Sequence, residues 1–219
     1  MPDPSALREP LSRALLVLFW CVAAVHLFAL AASVGPLAYG SKALLMPSLA
    51  AWALTRRAPG LLVAGLLCSA AGDVLLEHDG LFIAGMGAFA AAHACYVVLF
   101  VRRGAAGGVR RRWPVVAAYA LVWVALLAVM WSGLGDLRIP VAAYSLLLTA
   151  TAVLAAGLGV GVGVGGALFF VSDALIAMGL ADLPRPAGVG LLVMVTYLGA
   201  QWLIASNVVA RTPRPTTLG

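Results

Sequence analysis

Apolar residues run along this chain in eight long blocks separated by short polar or basic connections. A helix that crosses a bilayer takes about 20 mostly apolar residues at about 1.5 Å each. The blocks span roughly Ala14 to Ala32, Pro36 to Leu54, Gly60 to Glu77, Leu81 to Val101, Pro114 to Trp131, Ile139 to Leu158, Gly163 to Ala181 and Ala187 to Val209. The second and third are short and carry polar residues. The pattern predicts an all-α, polytopic membrane protein, a bundle of about eight transmembrane helices. It leaves no room for a soluble domain: residues 1–219 read as one transmembrane domain, with short tails at 1–13 and 210–219.

Composition agrees with the pattern. Hydrophobic residues make up 63% of the 219 positions and charged ones 10%, where a soluble domain needs roughly a quarter of its surface charged. The net charge of +6 raises the question of nucleic acid, but the basic residues sit in connections between apolar blocks rather than along one face, so no nucleic-acid partner is expected. Arg8, Arg13, Arg56, Arg57, Arg102, Arg103, Arg110 to Arg112, Arg211 and Arg214 all fall on one side of an even number of crossings. The other side carries only Arg138 and Arg185, beside Asp79, Asp136 and Asp182. By the positive-inside rule both termini are expected in the cytoplasm, and the cell membrane is the expected location. The first block also has features of a cleavable signal peptide, a basic start and Ala29-Leu30-Ala31, and cleavage would leave seven helices.

Cys21, Cys68 and Cys95 lie inside apolar blocks without CxxC spacing, so neither a disulfide nor a thiolate metal site is expected. The Gly-rich stretch from Gly157 to Gly166 lacks the preceding strand and following acid of a dinucleotide fingerprint, and reads as a flexible or closely packed helix connection. No cofactor is expected.

Polar residues inside the blocks carry the chemistry. Ser69, Asp73 and Glu77 stand four residues apart and share one helix face. A charge at mid-membrane costs about 2.5 to 3.5 kcal/mol on insertion scales, so such an acid has a partner and a task. Asp73 lies about 9 Å along its helix from Asp79, Lys42 about the same from Pro36, and Tyr144 about the same from Arg138; Asp173 lies about 13 Å from Asp182, and His93 and Tyr197 about 18 Å deep. Acids, lysine and tyrosines therefore collect in one slab. Each has a structural alternative: Lys42 snorkelling to headgroups or pairing with Asp73, Glu77 solvated, His93 and Tyr96 in an aromatic stripe, Tyr197 and Gln201 bridging helices. An echo between Gly72-Asp73-Val74-Leu75-Leu76 and Ser172-Asp173-Ala174-Leu175-Ile176 is compatible with a parallel duplication or with chance. Neighbouring carboxyl groups separate their protonation equilibria, so that one donates a proton while the other stays ionised.

Taken in order, Ser41-Lys42 with Met46-Pro47, Gly72-Asp73 with Leu75-Leu76, Phe82 through Gly85, Phe89, His93 and Tyr96, Ser172-Asp173, and Tyr197 with Gln201 resemble the lysoplasmalogenase (YhhN-like) family of integral membrane proteins. Ala43, where the family more often has proline, and the Arg102–Arg112 loop depart from it. The resemblance implies hydrolysis of the vinyl ether bond of a lysoplasmalogen, a lysophospholipid, to a fatty aldehyde and glycerophospho-ethanolamine or -choline. It implies Asp73 and Asp173 as the catalytic pair, with the division between acid and stabiliser or base open. Lys42, His93, Tyr144, Tyr197, Gln201, Glu77 and Tyr96 become candidates for contact with substrate.

Two other classes compete. Intramembrane Asp, Lys and His also build proton-coupled transporters of small or lipid-like substrates, though no inverted repeat is evident. A zinc hydrolase with His93 as a ligand is the other reading, but the chain's three histidines lie at different depths with no HxxxH spacing to place two on one face, so no metal is expected. Membrane lipid is the expected surrounding, and the sequence gives no oligomeric state.

Overall fold

The computed structural model describes residues 4–212. Among them lie nine helices and no strand: α1 (Pro4–Ala31), α2 (Gly35–Thr55), α3 (Gly60–Leu75), α4 (Phe82–Arg102), α5 (Ala105–Arg111), α6 (Trp113–Met130), α7 (Arg138–Leu158), α8 (Val160–Leu180) and α9 (Val189–Ala210), with a 3₁₀ turn at Gly135–Leu137 leading into α7. Eight of these match the eight apolar blocks; the ninth, α5, is a short helix inside the connection expected to be a loop.

The differences at the boundaries have physical causes. α1 starts well before its apolar block because Glu9 pairs with Arg13 one turn later, at 3.4 Å, and with Arg56 of the α2–α3 connection, at 3.1 Å. Part of the segment expected as an N-terminal tail is therefore helical from Pro4. At the other end α9 runs to Ala210, and Arg214 with the rest of the expected tail beyond residue 212 lies outside the described residues. The Gly-rich stretch is mostly helix: Gly159 alone joins α7 to α8, at a φ of +131° that favours glycine. Gly165 lies against Ala200 and Ile204 of α9, and Gly166 against Ala152 and Ala155 of α7, closer than a Cβ would allow.

Helices α1, α2, α3, α4, α7, α8 and α9 pack in that order, and α9 returns to α1, α2 and α3, closing a ring. The closing seam is filled by aromatic rings: Trp202 of α9 lies 5.2 Å from Trp52 of α2 and 5.4 Å from Trp20 of α1, centroid to centroid. α6 stands outside the ring. It packs on α7 and lightly on α8, while none of its Cα atoms comes within 8 Å of one in α4.

The exterior is apolar. Phe28, Leu54, Ile83, Leu121, Leu146 and Val195 are large exposed hydrophobics spread over six helices, far beyond the single patch a soluble monomer tolerates. Six helices (α1, α4, α6, α7, α8 and α9) are long and apolar enough to cross a membrane. α3 is apolar but shorter, and α2 is interrupted by Gly40, Ser41, Lys42, Pro47 and Ser48. The protein is a polytopic helical membrane bundle. Its basic end is tied internally: Arg103 donates to the Val208 carbonyl at 3.2 Å, Arg112 to that of Ala156 at 2.9 Å, and Arg211 to that of Leu158, satisfying carbonyls that helix C-termini leave without partners.

Candidate active site

The site is built where α3, α4, α7, α8 and α9 face one another. Helical spacing places Ser69 and Asp73 on the buried face of α3. Gly72 beside them lets the Phe89 ring of α4 approach so closely that a Cβ would sit 2.5 Å from it. Asp73 is 3% exposed. Its Oδ2 accepts a hydrogen bond from the Tyr197 hydroxyl of α9 at 2.8 Å, and the Tyr197 ring is held edge-on between Phe89 and Phe169.

A second pair sits on the other side. Tyr144 of α7 donates its hydroxyl to Asp173 Oδ2 of α8. The same hydroxyl oxygen lies 3.3 Å from His93 Nε2 of α4, which is itself 3.8 Å from Asp173 Oδ2. Since Tyr144 spends its one proton on Asp173, its oxygen accepts from His93, which places a proton on Nε2. His93 is fully buried, its Nδ1 has no hydrogen-bond partner, and Phe169 packs on it at 4.6 Å. The order His93, Tyr144, Asp173 is thus a hydrogen-bonded relay pointing at one carboxylate.

Both carboxylates open on one cavity. Its charged lining is Lys42, Asp73 and Asp173, with Tyr144 and Tyr197 between them. The rest is almost wholly apolar and includes Met86 and Phe89 of α4, Trp123, Leu126, Leu127 and Met130 of α6, and Phe170, Ile176 and Met194. The cavity therefore reaches the seam where α6 stands apart from α4. Trp123 is fixed there by an indole N–H bond to Ser145 Oγ of α7, at 2.9 Å.

The sequence-derived candidates separate into three groups. Asp73, Asp173, Lys42, Tyr144 and Tyr197 line the cavity, and His93 stands directly behind Tyr144. Lys42 neither snorkels freely nor bonds to Asp73: its Nζ donates to Glu77 Oε1 at 2.6 Å, so Glu77 is an ion-pair partner rather than a merely solvated acid. Tyr96 and Gln201 do not line the cavity. They form a separate buried chain in which Tyr96 donates to Gln201 Oε1 at 2.7 Å and Gln201 Nε2 donates to Ser69 Oγ at 2.9 Å, joining α4, α9 and α3.

His26 and His78, unassigned in the sequence, bond at the α1–α2 contact to Ser41 Oγ at 3.0 Å and within the α3 end to the Val74 carbonyl at 2.9 Å. The α6 residues of the cavity wall gave no signal, because at helical spacing Trp123, Leu126 and Met130 read as any lipid-facing stripe. Among the described residues no cluster of three His, Cys, Asp or Glu side chains is arranged to hold a metal ion.

Residues 37–208, from α2 to near the end of α9 and so including every residue of this site, match the model of the YhhN family. The chain belongs to the YhhN family. Three relatives are similar to it over much of its length. Lysoplasmalogenase TMEM86B of Homo sapiens is 35% identical over 158 residues, 72% of this chain and 66% of the relative. Lysoplasmalogenase TMEM86B of Sus scrofa is 36% identical over 143 residues, 65% of this chain and 61% of the relative. A lysoplasmalogenase of Mycobacterium tuberculosis is 34% identical over 156 residues, 67% and 59% of the two chains. The matched part is thus just under two thirds of these relatives' own length. No solved structure matches this YhhN chain.

Proposed function

We propose that this YhhN-family protein hydrolyses the vinyl ether bond of lysoplasmalogens within the membrane. The observation that carries the proposal is the pair of tyrosine-bonded carboxyl groups on one apolar cavity. The names of the relatives point the same way.

A vinyl ether hydrolyses by proton transfer to the alkene carbon distal to the oxygen, which leaves an oxocarbenium ion. Water adds to the carbon bearing the oxygen and loses a proton, giving a hemiacetal. The hemiacetal collapses to a fatty aldehyde and the free glycerol hydroxyl. The reaction thus needs an acid in the first step and, in the second, an anion that faces the cation and accepts the water's proton.

Asp73 is assigned as the acid: Tyr197 engages Oδ2, leaving Oδ1 for the proton it delivers. Asp173 is assigned as the anion, because Tyr144 and His93 supply hydrogen-bond donors to that side and a path along which a proton can move. The proton lost by Asp73 is replaced by the one taken from water, so the two carboxyl groups end the cycle with as many protons as they began. Lys42, at the polar end of the cavity, faces the headgroup phosphate, and the α4 and α6 side chains take the hydrocarbon chain.

The test is aldehyde release by detergent-purified protein from a lysoplasmenyl lipid, with its saturated alkyl-ether twin as control. Release from the vinyl ether alone, abolished in folded Asp73→Asn and Asp173→Asn proteins, is the expected result. Full activity in both variants would overturn the carboxylate mechanism. Absence of release from folded wild-type protein would overturn the hydrolase and favour carriage of a lipid-like substrate.

A further inference from the structure

We propose that Lys42 and Glu77 together form a binding site for a zwitterionic lipid headgroup, with the phosphate on Lys42 and the ammonium on Glu77. The proposal rests on the hydrolase reading for its lipid, and adds to it a residue that sets headgroup selectivity.

Lys42 is the chain's one lysine, beside thirteen arginines. At this position the difference matters. An arginine fork matches a carboxylate with two parallel bonds, whereas an ammonium is a point charge with three N–H donors. Here Nζ meets Glu77 through Oε1 alone, at 2.6 Å. The second carboxylate oxygen and the remaining N–H donors therefore stay available for a ligand. Both side chains are partly open, 18% for Lys42 and 38% for Glu77, while Lys42 also lines the cavity that holds Asp73 and Asp173. The pair thus sits between the reacting groups and the outside.

A neutral pair of opposite charges gives no net attraction for an anion or a cation alone. A ligand that carries both signs at short separation fits differently. Its phosphate adds to the free N–H donors of Lys42 and its ammonium to the free oxygen of Glu77, giving four alternating charges without breaking the existing bond. The surroundings suit the ammonium end. His78 follows Glu77 directly, and its ring packs edge-to-face with Tyr39, centroids 6.0 Å apart. Tyr39 stands three residues before Lys42 on α2, so that an aromatic ring and the lysine share a helix face, and aromatic faces attract alkylated ammonium groups. Behind the pair the lining is apolar, which selects a lipid over a free phosphoamine.

The experiment measures binding of saturated alkyl-ether lysophospholipids by calorimetry in detergent, so that no cleavage is required. Ethanolamine and glycerol headgroups are compared on the same phosphate and chain. Glu77→Gln is expected to lower the ratio of ethanolamine to glycerol affinity about tenfold, the size of one charge-assisted contact, and to raise affinity for the anionic glycerol lipid by freeing Lys42. Lys42→Met is expected to weaken both ligands. Glu77→Asp, which keeps the charge, is expected to restore most of the ratio. An unchanged ratio in folded Glu77→Gln protein overturns the proposal. Because binding is read without turnover, loss of the hydrolase reading leaves this outcome independent: selectivity for the zwitterion in a protein that releases no aldehyde supports the headgroup site and sinks only the chemistry.

Discussion

Tyr197 on α9 and Asp73 on α3 are 124 residues apart in the chain and joined by a hydrogen bond of 2.8 Å. The bond brings the last helix of the ring onto the acid at the end of a short one. It also orients the carboxyl group, because a phenol held between two aromatic rings has little freedom to turn away.

Tyr197→Phe removes that donor and keeps the ring in place. The rate of aldehyde release at saturating substrate is expected to fall about tenfold, one lost hydrogen bond to the reacting group, with KM little changed. Asp73→Asn, which deletes the acid itself, is expected to cost about a hundred- to ten-thousand-fold. Steady-state kinetics of the two variants side by side check the ranking.

The relay through Tyr144 predicts coupling. Both Tyr144→Phe and His93→Gln act on the reaction only through Asp173, so the double variant is expected to be scarcely slower than the Tyr144→Phe single one. A double-mutant cycle on kcat measures this directly, and strictly additive losses would show that the two residues act separately.

The Tyr96–Gln201–Ser69 chain predicts the opposite separation, a stability effect without a chemical one. Gln201→Leu leaves the Tyr96 hydroxyl and Ser69 buried without their partner, at a cost of about 1–3 kcal/mol. Thermal unfolding in detergent is expected to move down by several degrees, while kcat of the protein that remains folded stays near the wild-type value.

Close packing of α3 on α4 gives a fourth test. Gly72→Ala drives a methyl group into the Phe89 ring, where a Cβ would lie 2.5 Å away, whereas Gly87 has nothing within 4 Å. Gly72→Ala is expected to lower both the unfolding temperature and activity, since Phe89 also supports Tyr197 and lines the cavity. Gly87→Ala is expected to be neutral or slightly stabilising through its helix propensity.

Hydropathy made eight of the nine helices legible, because lipid leaves helices few alternatives. It missed α5, whose sequence Ala-Ala-Gly-Gly-Val-Arg-Arg is too short and too glycine-rich to read as a helix, and which is held by its contact with α7. Asp73 and Asp173 stood out because charge is rare inside apolar blocks. Their partners were harder to pair. Sequence spacing put Lys42, Asp73 and Glu77 within reach of one another, and only the fold directs the lysine to Glu77 and leaves Asp73 to a tyrosine. Tyr96 and Gln201 were visible as polar residues in apolar helices, but polarity alone does not separate a cavity wall from a buried bond between helices. Trp123 and the α6 wall were invisible, since a side chain facing a hydrocarbon ligand and one facing hydrocarbon lipid obey the same chemistry.

The closing of the ring by α9 also orders events during synthesis. A chain is made from its N-terminus, so Asp173, Tyr144 and His93 can meet once α8 has entered the bilayer. Asp73, made far earlier, waits for Tyr197 until α9 arrives. The acid that emerges first from the ribosome is the last to find its partner.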